Sequence, residues 1–333
     1  MRDRAGSPDD GDGDGAGAGG TPSSGPGGGG TPSSGPGEGA GDVPAGRYGR
    51  ELFPPEDPHE SERIDAAALV HDPVTTRRLR ELGAGPGMRC LEVGAGTGTV
   101  ARWLLEEAGV EEVVALDRDT RALAAWELPG LRVLTADVTD EDLDPGRFDL
   151  VHARFVLMHL PGRRRLVHRL AGLLRPGGVL VLGDAVELPD TLDRSSAYRR
   201  TMDAMWAALW ATIGTDLTEV PAYPRYLRAE GLRDIGAEVV CPPLLPGAPA
   251  AFFWSDTWQR MRPELEATGL VDARVVDEAL AYLESPQLAE VGRGWRWCGG
   301  GGRTSCPGAC LRGVGPRKVR GPCGPRGRWS SLR

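Results

Sequence analysis

Residues 91–100 read LEVGAGTGTV, in which an apolar run passes into alternating glycines. The apolar run is typical of a buried strand, and Gly94, Gly96 and Gly98 allow a tight turn and a close approach of the backbone to a ligand. A helix predicted over residues 97–108 follows at once, so its first amide groups face the same ligand. The stretch therefore predicts a strand, a ligand-binding loop and a helix, in that order.

Short apolar runs recur along the chain and alternate with helical patterns. Strands are predicted at 88–93, 112–117, 131–136, 148–153, 178–184 and 234–241. Helices are predicted at 97–108, 120–128 and 162–174, and the RPGG sequence at 175–178 predicts a turn. Such short, nearly continuous apolar runs are typical of a parallel sheet covered on both faces. The alternation predicts an α/β fold with a doubly wound, mostly parallel sheet.

Further helices are predicted on either side of this sheet. Ahead of it, two helices are expected at 60–70 and 73–82, the second with Asp72 as N-cap and Pro73 as its first residue. After the fifth strand a helical cover is predicted over 193–213 and 249–285.

Composition divides the chain into three segments. Residues 1–46 hold 17 glycines, 6 prolines and no aromatic residue. Such a segment buries too little apolar surface to offset its ordering entropy, so a disordered tail is predicted. A translation start near Arg47 is the alternative. Residues 47–292 carry the periodic apolar patterns and are predicted to form one domain.

Residues 293–333 form the third segment, with 10 basic residues, no acidic one and four of the six cysteines. No helical or strand period is visible, so an irregular basic tail is predicted. The cysteine spacings lack the paired pattern of zinc ribbons, which argues against a metal site. We favour an out-of-frame translation beginning near Gly292 over a zinc site or a basic RNA-binding tail.

Charge and composition exclude several classes of protein. The net charge of the 333 residues is −8, which argues against a broad nucleic-acid-binding surface. No run approaches the 18 apolar residues of a membrane span, and the first residues lack the apolar segment of a secretory signal. Cys90 and Cys241 lie in apolar runs and are expected to be buried thiols. These features favour a reducing cytoplasm.

Side chains around the glycines indicate the kind of ligand. Asp117 ends the second strand 23 residues beyond Gly94, close to the spacing of an acid that binds ribose hydroxyls. Dinucleotide loops have Gly or Ala where this chain has Thr99, and the charge of Glu92 is unfavourable beside a pyrophosphate. A ligand with a cationic amine or sulfonium is therefore favoured over NAD or a nucleotide sugar.

Five blocks of the sequence resemble the class I S-adenosylmethionine-dependent methyltransferases, and most closely the small-molecule enzymes of menaquinone and bacterial natural-product biosynthesis. The blocks are LEVGAGTGT (91–99), VVALDRD (113–119), TADVTD (135–140), FDLVHARFVLMHL (148–160) and LLRPGGVLVLGDA (173–185). Their order and spacing match the family over residues 45–292. The resemblance implies a Rossmann-like fold, S-adenosylmethionine as cofactor, and in-line transfer of its methyl group to a small-molecule acceptor.

The resemblance also implies roles for individual residues. Gly94, Ala95 and Gly96 would pack on the methionine part and ribose of the cofactor, and Glu92 would orient its amino group. Asp117 would accept both ribose hydroxyls. The other implied contacts are to the adenine, from Arg118, Asp137 and Val138, and to the amino-acid end, from Ala153 and Arg154.

In this family the sheet ends in an antiparallel hairpin whose last strand inserts between strands five and six. Here the Gly/Arg tail begins where that strand is expected, so the closure of the sheet edge is left open.

Polar side chains beyond the loop are candidates for the chemistry. His159, after the fourth strand, is the preferred general base, with helix capping or packing as the alternative. His152 is expected in the core and His168 on a solvated helix face. Asp184 and Glu187 follow the fifth strand and are candidates for a substrate amine; a metal is less favoured because no third ligand is recognisable.

Residues ahead of the sheet are candidates to cover the site. Tyr48 and the helix at 60–70 are expected to fold over the cofactor. Arg63 is a candidate for its carboxylate or for a surface ion pair, and His71 for a lid or a surface position.

Aromatic and methionine side chains are frequent after the fifth strand. They are expected both to wall an apolar acceptor pocket and to pack the cover helices. They are Met202, Met205, Trp206, Trp210, Phe252, Phe253, Trp254 and Trp258.

Three alternative functions stay open beside a cytoplasmic small-molecule methyltransferase. The first is an RNA or protein methyltransferase, which the acidic charge disfavours. The second is an NAD or nucleotide-sugar enzyme on the same fold. The third is a catalytically impaired cofactor-binding protein that has lost its closing strand.

Overall fold

The computed structural model describes residues 47–187, 195–292 and 294–302. The predicted disordered segment 1–46 and the end of the predicted tail, 303–333, lie outside the described residues.

Strands of the described chain form one large sheet and one small sheet. They are β1 Arg89–Val93, β2 Glu112–Asp117, β3 Leu131–Thr135, β4 Phe148–Arg154, β5 Leu174–Val186, β6 Arg233–Val240, β7 Pro243–Leu244, β8 Glu290–Val291 and β9 Gly294–Gly301. The large sheet has the order β3-β2-β1-β4-β5-β9-β6, and β7 pairs with β8. Strands β1 to β5 are parallel, and β9 runs antiparallel to both neighbours. The predicted α/β fold with a mostly parallel sheet is confirmed.

Helices connect and cover these strands. They are α1 Glu60–Glu81, α2 Thr99–Glu106, α3 Arg163–Gly172, α4 Ala197–Ile213, α5 Tyr223–Ala229, α6 Pro249–Arg260, α7 Arg262–Ala267 and α8 Ala273–Glu284. Single 3-10 turns lie at Arg121–Leu123, Leu157–His159 and Val220–Ala222. The predicted helical cover is present as α4, α6, α7 and α8, whereas α5, β7 and β8 were not predicted.

Alternation of side chains along the central strands builds a core on each face of the sheet. Leu91 and Val93 of β1 pack on the face covered by α3 and α5, and Cys90 packs on the opposite face with α2 and Leu79 of α1. Burial of both faces explains why these strands are apolar at nearly every position. A third core lies among α4, α6, α7 and α8.

The prediction of two helices ahead of the sheet is wrong, because α1 runs unbroken from Glu60 to Glu81 with Pro73 inside it. A proline leaves the carbonyl four residues before it without its donor. That carbonyl belongs to Leu69, whose side chain is 67% exposed, so water reaches this turn. Arg154 of β4 also holds the turn, by donating hydrogen bonds to Asp72 and Thr75.

Two shorter predictions are wrong in their local structure. Residues 120–128 form only the turn Arg121–Leu123, because the following Trp126 folds onto the bare backbone of Gly98, 3.1 Å from where a Cβ would stand. The RPGG sequence lies inside β5 rather than in a turn. Gly177, with a φ of +86°, takes up the irregular register between β4 and β5.

The prediction of an irregular tail is wrong for residues 294–301, which form β9 between β5 and β6. Trp295 and Trp297 point into the core on the α2 face. The run of glycines after Cys298 hides the strand pattern in the sequence, but the packing of β9 requires small residues at these positions. A Cβ on Gly300 would lie 2.9 Å from Ile235 of β6. The sheet edge is therefore closed, while the out-of-frame origin stays a prediction.

Trp295→Ala is expected to lower the free energy of unfolding by about 3–5 kcal/mol, as for other large aromatic side chains removed from a core. The side chain is 1% exposed, and its indole nitrogen lies 2.7 Å from where a Cβ on Gly183 of β5 would stand. Urea unfolding followed by circular dichroism measures the change.

Phe252→Ala is the control for this experiment. Phe252 is 48% exposed on α6, so its removal is expected to change the free energy of unfolding by only about 0.5 kcal/mol. Equal losses in the two variants would contradict a core position for β9.

Candidate functional site

A cavity of about 760 Å³ opens at the carboxyl ends of β1, β2, β4 and β5. Its walls come from the loops after β1, β2, β3 and β4, from Ala185 of β5, from residues 48–56, and from α1, α4 and α6. Open α/β sheets bind their ligands at this edge. The cavity is therefore the candidate site.

The loop after β1 presents backbone rather than side chains to this cavity. Gly94 has a φ of +69°, and a Cβ there would lie 2.2 Å from Val156 in the loop after β4. The amide of Gly94 donates to the carbonyl of Leu116 at 2.8 Å. The two loops approach each other closely because Gly94 has no side chain.

Asp117 joins the end of β2 to the same loop. Its Oδ2 accepts a hydrogen bond from the amide of Gly96 at 2.8 Å, and its Oδ1 accepts one from the amide of Asp119 at 3.1 Å. Burial raises the pKa of Asp117 above its ordinary value, and these amides oppose the rise by favouring the charged form. The direction of the carboxylate is thus set by the protein itself.

Glu92 of β1 and His152 of β4 form a buried pair next to the glycine loop. Oε2 of Glu92 lies 2.8 Å from Nδ1 of His152, and the side chains are 5% and 0% exposed. Within the described part of the chain, Nε2 of His152 has no hydrogen-bond partner. His152 is therefore a core histidine, as expected, and it orients the carboxylate of Glu92, which lines the cavity.

Loops after β2 and β3 supply further residues named by the resemblance. Asp137 and Val138 line the cavity, and Oδ1 of Asp137 accepts hydrogen bonds from the amide and hydroxyl of Thr139 at 2.8 and 2.6 Å. Arg118 lines the cavity too and donates to the carbonyl of Tyr48. Their roles toward an adenine stay predictions.

Of the two cofactor contacts predicted at the end of β4, one faces the cavity and the other faces the core. Arg154 lines the cavity, but α1 engages its guanidinium through Asp72 at 2.7 Å and Thr75 at 2.8 Å. Ala153 is 1% exposed and belongs to the core on the α3 face, not to the cavity lining. The structure does not support Ala153 as a cofactor contact, because alternation along β4 turns its methyl group into the core.

Tyr48, ahead of α1, lines the cavity and contacts several elements around it. Its carbonyl accepts a hydrogen bond from Arg118, after β2, and its hydroxyl accepts one from Arg63 of α1 at 2.7 Å. Its ring centroid lies 4.8 Å from that of His159, after β4. Tyr48 thus joins the glycine-loop end of the cavity to its far end.

His159 faces the cavity from the turn after β4, and its Nδ1 lies 2.8 Å from Oγ1 of Thr215. Burial lowers the pKa of the imidazole to about 3, with smaller contributions from the positive charges of Arg163, Arg63 and Arg118. The ring is uncharged at neutral pH, so it accepts a hydrogen bond, but it is a weak base.

Arg63 and His71 of α1 lie within the site, and the expected surface positions are wrong. Arg63 is 4% exposed, donates from Nε to Glu60 at 2.9 Å, and stacks 4.1 Å from the ring centroid of Phe53. His71 packs 5.2 Å from the ring centroid of Trp295, and burial lowers its pKa to about 3. Arg63 is buried and His71 is half-buried, because α1 covers the cavity.

Asp184 of β5 is 1% exposed and is not part of the cavity lining. Oδ1 accepts a hydrogen bond from the amide of Val156 at 3.1 Å, and Oδ2 accepts one from the amide of Met158 at 3.1 Å and one from the hydroxyl of Tyr223 at 2.6 Å. Asp184 therefore anchors the loop after β4, which corrects its predicted role in binding a substrate amine or metal. Glu187 is exposed and also lies outside the lining.

Aromatic and methionine residues of the helical cover divide between cavity and core, as expected. The cavity is lined by Met205, Trp206, Phe253 and Trp254. Met202 and Trp258 are buried in the core among the cover helices. Trp210 and Phe252 belong to neither set.

Sequence reasoning missed several residues of the site, and three of them show why. Thr215 has no local signal, because it reaches its histidine from 56 positions away. Glu60 was detectable from its spacing to Arg63, and Trp295 was hidden in the glycine-rich tail. His168, in contrast, lies exposed on α3 as expected, 2.7 Å from Glu230.

Comparison with known proteins indicates a methyltransferase. A family model described as a methyltransferase domain matches residues 91–180. The trans-aconitate 2-methyltransferase of Deinococcus radiodurans is 32% identical over 183 residues, which cover 51% of this chain and 68% of that protein. The methyltransferase str3 of Strobilurus tenacellus is 33% identical over 127 residues, 38% of this chain and 45% of that protein.

A solved structure supports the fold. The phosphoethanolamine N-methyltransferase 2 of Haemonchus contortus, in complex with phosphomonomethylethanolamine and S-adenosylhomocysteine, matches with a TM-score of 0.50 at 17% identity. The match covers 76% of this chain and 59% of that chain. The chain spans 45% to 68% of the length of the first curated relatives it matches.

No helix among residues 47–187, 195–292 and 294–302 has the length and apolar character needed to cross a membrane. In the same residues, no three side chains of His, Cys, Asp or Glu stand together in a position to hold a metal ion.

Stability is expected to depend on the ionisation of Asp184. Burial raises the pKa of Asp184 from an ordinary 3.8 to about 7. Between these values the folded protein keeps a proton that the unfolded chain releases, so the free energy of unfolding falls as pH rises from about 4 to about 7. Asp184→Asn removes this dependence, and urea unfolding of parent and variant across that range measures it.

Asp144→Asn is the matched control, because this carboxylate is exposed on a loop. The free energy of unfolding of Asp184→Asn, minus that of the parent, should increase as pH rises. For Asp144→Asn this difference should stay constant. A difference that stays constant from pH 4 to 7 contradicts a buried, proton-holding Asp184.

Proposed function

The chain belongs to the class I S-adenosylmethionine-dependent methyltransferases, and we propose that it transfers the methyl group of this cofactor to a small-molecule acceptor. One observation carries the proposal. A carboxylate fixed by the glycine loop, Asp117, stands at one end of a 760 Å³ cavity whose other end is aromatic. Volumes of this size are typical of small-molecule sites.

Residues around the glycine loop fit S-adenosylmethionine. The carboxylates of Glu92, Asp117 and Asp137 belong to cavity-lining residues, and acids are suitable partners for ribose hydroxyls and for a cationic amine. Three acids are unfavourable beside a pyrophosphate, which argues against NAD. Bare backbone at Gly96 lets a nucleoside lie against the loop, whereas the space beside Gly94 is taken by Val156.

In this proposal each predicted residue has one task. Asp117 binds the ribose hydroxyls through oxygens whose direction is set by the amides of Gly96 and Asp119. Glu92 attracts the amino group and is held in place by His152. Bound S-adenosylmethionine supplies an electrophilic methyl group on a sulfonium centre.

The protein contributes alignment rather than covalent chemistry. The glycine loop holds one reactant and the aromatic end of the cavity holds the other, so that the acceptor atom approaches the methyl group in line. Positioning of this kind lowers reaction barriers by about 7–11 kcal/mol. Exclusion of water by the aromatic side chains strengthens the electrostatic contacts inside.

His159 acts at the acceptor. In the tautomer in which Nδ1–H donates to Oγ1 of Thr215, Nε2 carries no proton and is the acceptor left for the substrate. The pKa of about 3 makes an early proton transfer unfavourable. We therefore propose that His159 orients an acceptor hydroxyl by accepting its hydrogen bond and takes the proton only as the new bond forms.

Alternative functions receive less support. A catalytically impaired protein was suggested by the missing closing strand, and β9 supplies that strand. Transfer to RNA or protein is disfavoured by the net charge of −8 and the aromatic lining of the cavity. A cytoplasmic location remains part of the proposal and is supported by the free thiols of Cys90, Cys241 and Cys298.

Asp117→Ala is expected to weaken the binding of S-adenosylhomocysteine by about 10- to 100-fold, because hydrogen bonds to a charged group each contribute about 1.5–3 kcal/mol. Isothermal titration calorimetry measures the affinity. Asp144→Ala, at an exposed carboxylate, is the control and should bind like the parent. Unchanged binding by a folded Asp117→Ala protein would overturn the proposed cofactor site.

His159→Ala is expected to lower kcat by about 100-fold, the lower end of the range for acid–base groups, with little effect on cofactor affinity. His159→Gln keeps a hydrogen-bonding group and should recover part of the loss. The measurement is methyl transfer from labelled S-adenosylmethionine, with His168→Ala, on the exposed face of α3, as control.

The pH profile of the same reaction gives an independent test. With a pKa of about 3 for His159, kcat is expected to show no inflection from this residue between pH 5 and 8. An inflection near pH 6.5 that disappears in His159→Gln would contradict the uncharged, buried ring.

A further inference from the structure

We propose that the methyl acceptor is an uncharged aromatic compound with a hydroxyl group, and that the site rejects carboxylates and cations. This inference rests on the proposed methyl transfer and adds the chemical class of the acceptor. It follows from the side chains at the far end of the cavity and from the way the charges around them are paired.

The acceptor wall is the set of apolar side chains that line the cavity from the turn after β4, from α4 and from α6. It consists of Met158, Leu160, Met205, Trp206, Phe253 and Trp254. Aromatic rings and thioethers favour a flat apolar partner, since both make close contacts with ring faces and edges. A substrate ring is therefore the group that this wall fits.

Arg63 lies 5.3 Å from the ring centroid of Phe253 in the acceptor wall and is a candidate to bind an acidic substrate, but its donors are already engaged. Two of its nitrogens bind both oxygens of Glu60, and one of them also donates to the hydroxyl of Tyr48. A third lies 3.5 Å from Oγ1 of Thr257, and the ring of Phe53 covers the guanidinium. A substrate carboxylate would have to break a buried ion pair to reach it.

Other arginines of the cavity are equally unsuited. Arg154 is paired with Asp72, and Arg121 with Asp119. Among the described lining residues, only Arg50 and Arg118 lack a carboxylate partner. Arg50 is exposed to solvent, and the guanidinium of Arg118, which follows Asp117, is engaged by the carbonyl of Tyr48.

A cationic acceptor meets the opposite difficulty. Glu60, the acid next to the acceptor wall, is 4% exposed and is already neutralised by Arg63. Nη1 of Arg260 also lies 3.6 Å from Oε2 of Glu60. His159 adds no charge at neutral pH. A charged substrate would therefore be buried without a partner, which is costly. A hydroxyl, in contrast, meets Nε2 of His159.

Three matched compounds test the inference: 2-naphthol, 6-hydroxy-2-naphthoate and 6-(aminomethyl)-2-naphthol. They share one ring system and one hydroxyl and differ in charge. With the full chain, 2-naphthol is expected to bind the S-adenosylhomocysteine-loaded protein, and to be methylated, at least about 30-fold better in Kd and in kcat/KM than either charged compound. Calorimetry and transfer of a labelled methyl group measure the two quantities.

Met205→Arg adds an unpaired guanidinium to the acceptor wall, and Met205→Gln is its control without charge. The arginine variant is expected to prefer 6-hydroxy-2-naphthoate over 2-naphthol, whereas the glutamine variant, even if it binds both compounds more weakly, gains no preference for the carboxylate. Affinity for S-adenosylhomocysteine reports whether each variant is folded. Trp254→Arg, at a partly exposed position of the same wall, replaces the first variant if that one does not fold.

The outcomes separate the two proposals. If the parent neither binds S-adenosylhomocysteine nor transfers a methyl group to any compound, the proposed function fails. If it binds S-adenosylhomocysteine but takes the carboxylate or the amine as well as 2-naphthol, or binds none of the three, the inference about the acceptor fails while the cofactor site stands.

Discussion

The hydrogen bond from the amide of Gly96 to the carboxylate of Asp117 joins the ends of two neighbouring parallel strands, and the rest of the site is arranged around it. The bond forms only because the loop after β1 turns through glycines. The same property at Gly94 lets the loop after β4 approach, since a Cβ there would lie 2.2 Å from Val156. The carboxyl ends of β1, β2 and β4 thus meet at one point, and an acid faces the cavity beside bare backbone.

Buried polar groups around this point support the loops instead of reacting. Asp184 receives two hydrogen bonds from the turn after β4 and one from Tyr223 of α5, and through that turn it places His159. His152 holds Glu92 in the same manner. Each of these groups is costly to bury alone, so the fold supplies a partner for it. Catalysis by alignment requires a preorganised site of this kind, because its groups then move little during the reaction.

Helix α1 and the segment before it complete the cavity from outside the sheet. The helix passes over the site without a break, and Arg154 fastens its middle turn to β4. Arg63 and Tyr48 join this helix to the opposite wall. Glu60 neutralises Arg63, and Asp72 neutralises Arg154. The far end of the cavity is therefore apolar even though the chain as a whole is acidic. The net charge of the chain therefore does not predict the charge of the acceptor, whereas the pairing of charged side chains around the cavity does.

The sequence by itself determined the parallel sheet, the glycine loop and the acid at Asp117. These features rest on local patterns: runs of apolar residues, a glycine spacing, and a fixed distance to the next strand. Only the tertiary structure decided what depends on partners far along the chain. Strand β9 is hidden by glycines that are needed for its fit between β5 and β6, and α1 continues past Pro73 because Arg154 holds that turn. The engagement of His159 by Thr215 is of the same kind, since a contact between distant residues leaves no trace in the spacing of either one.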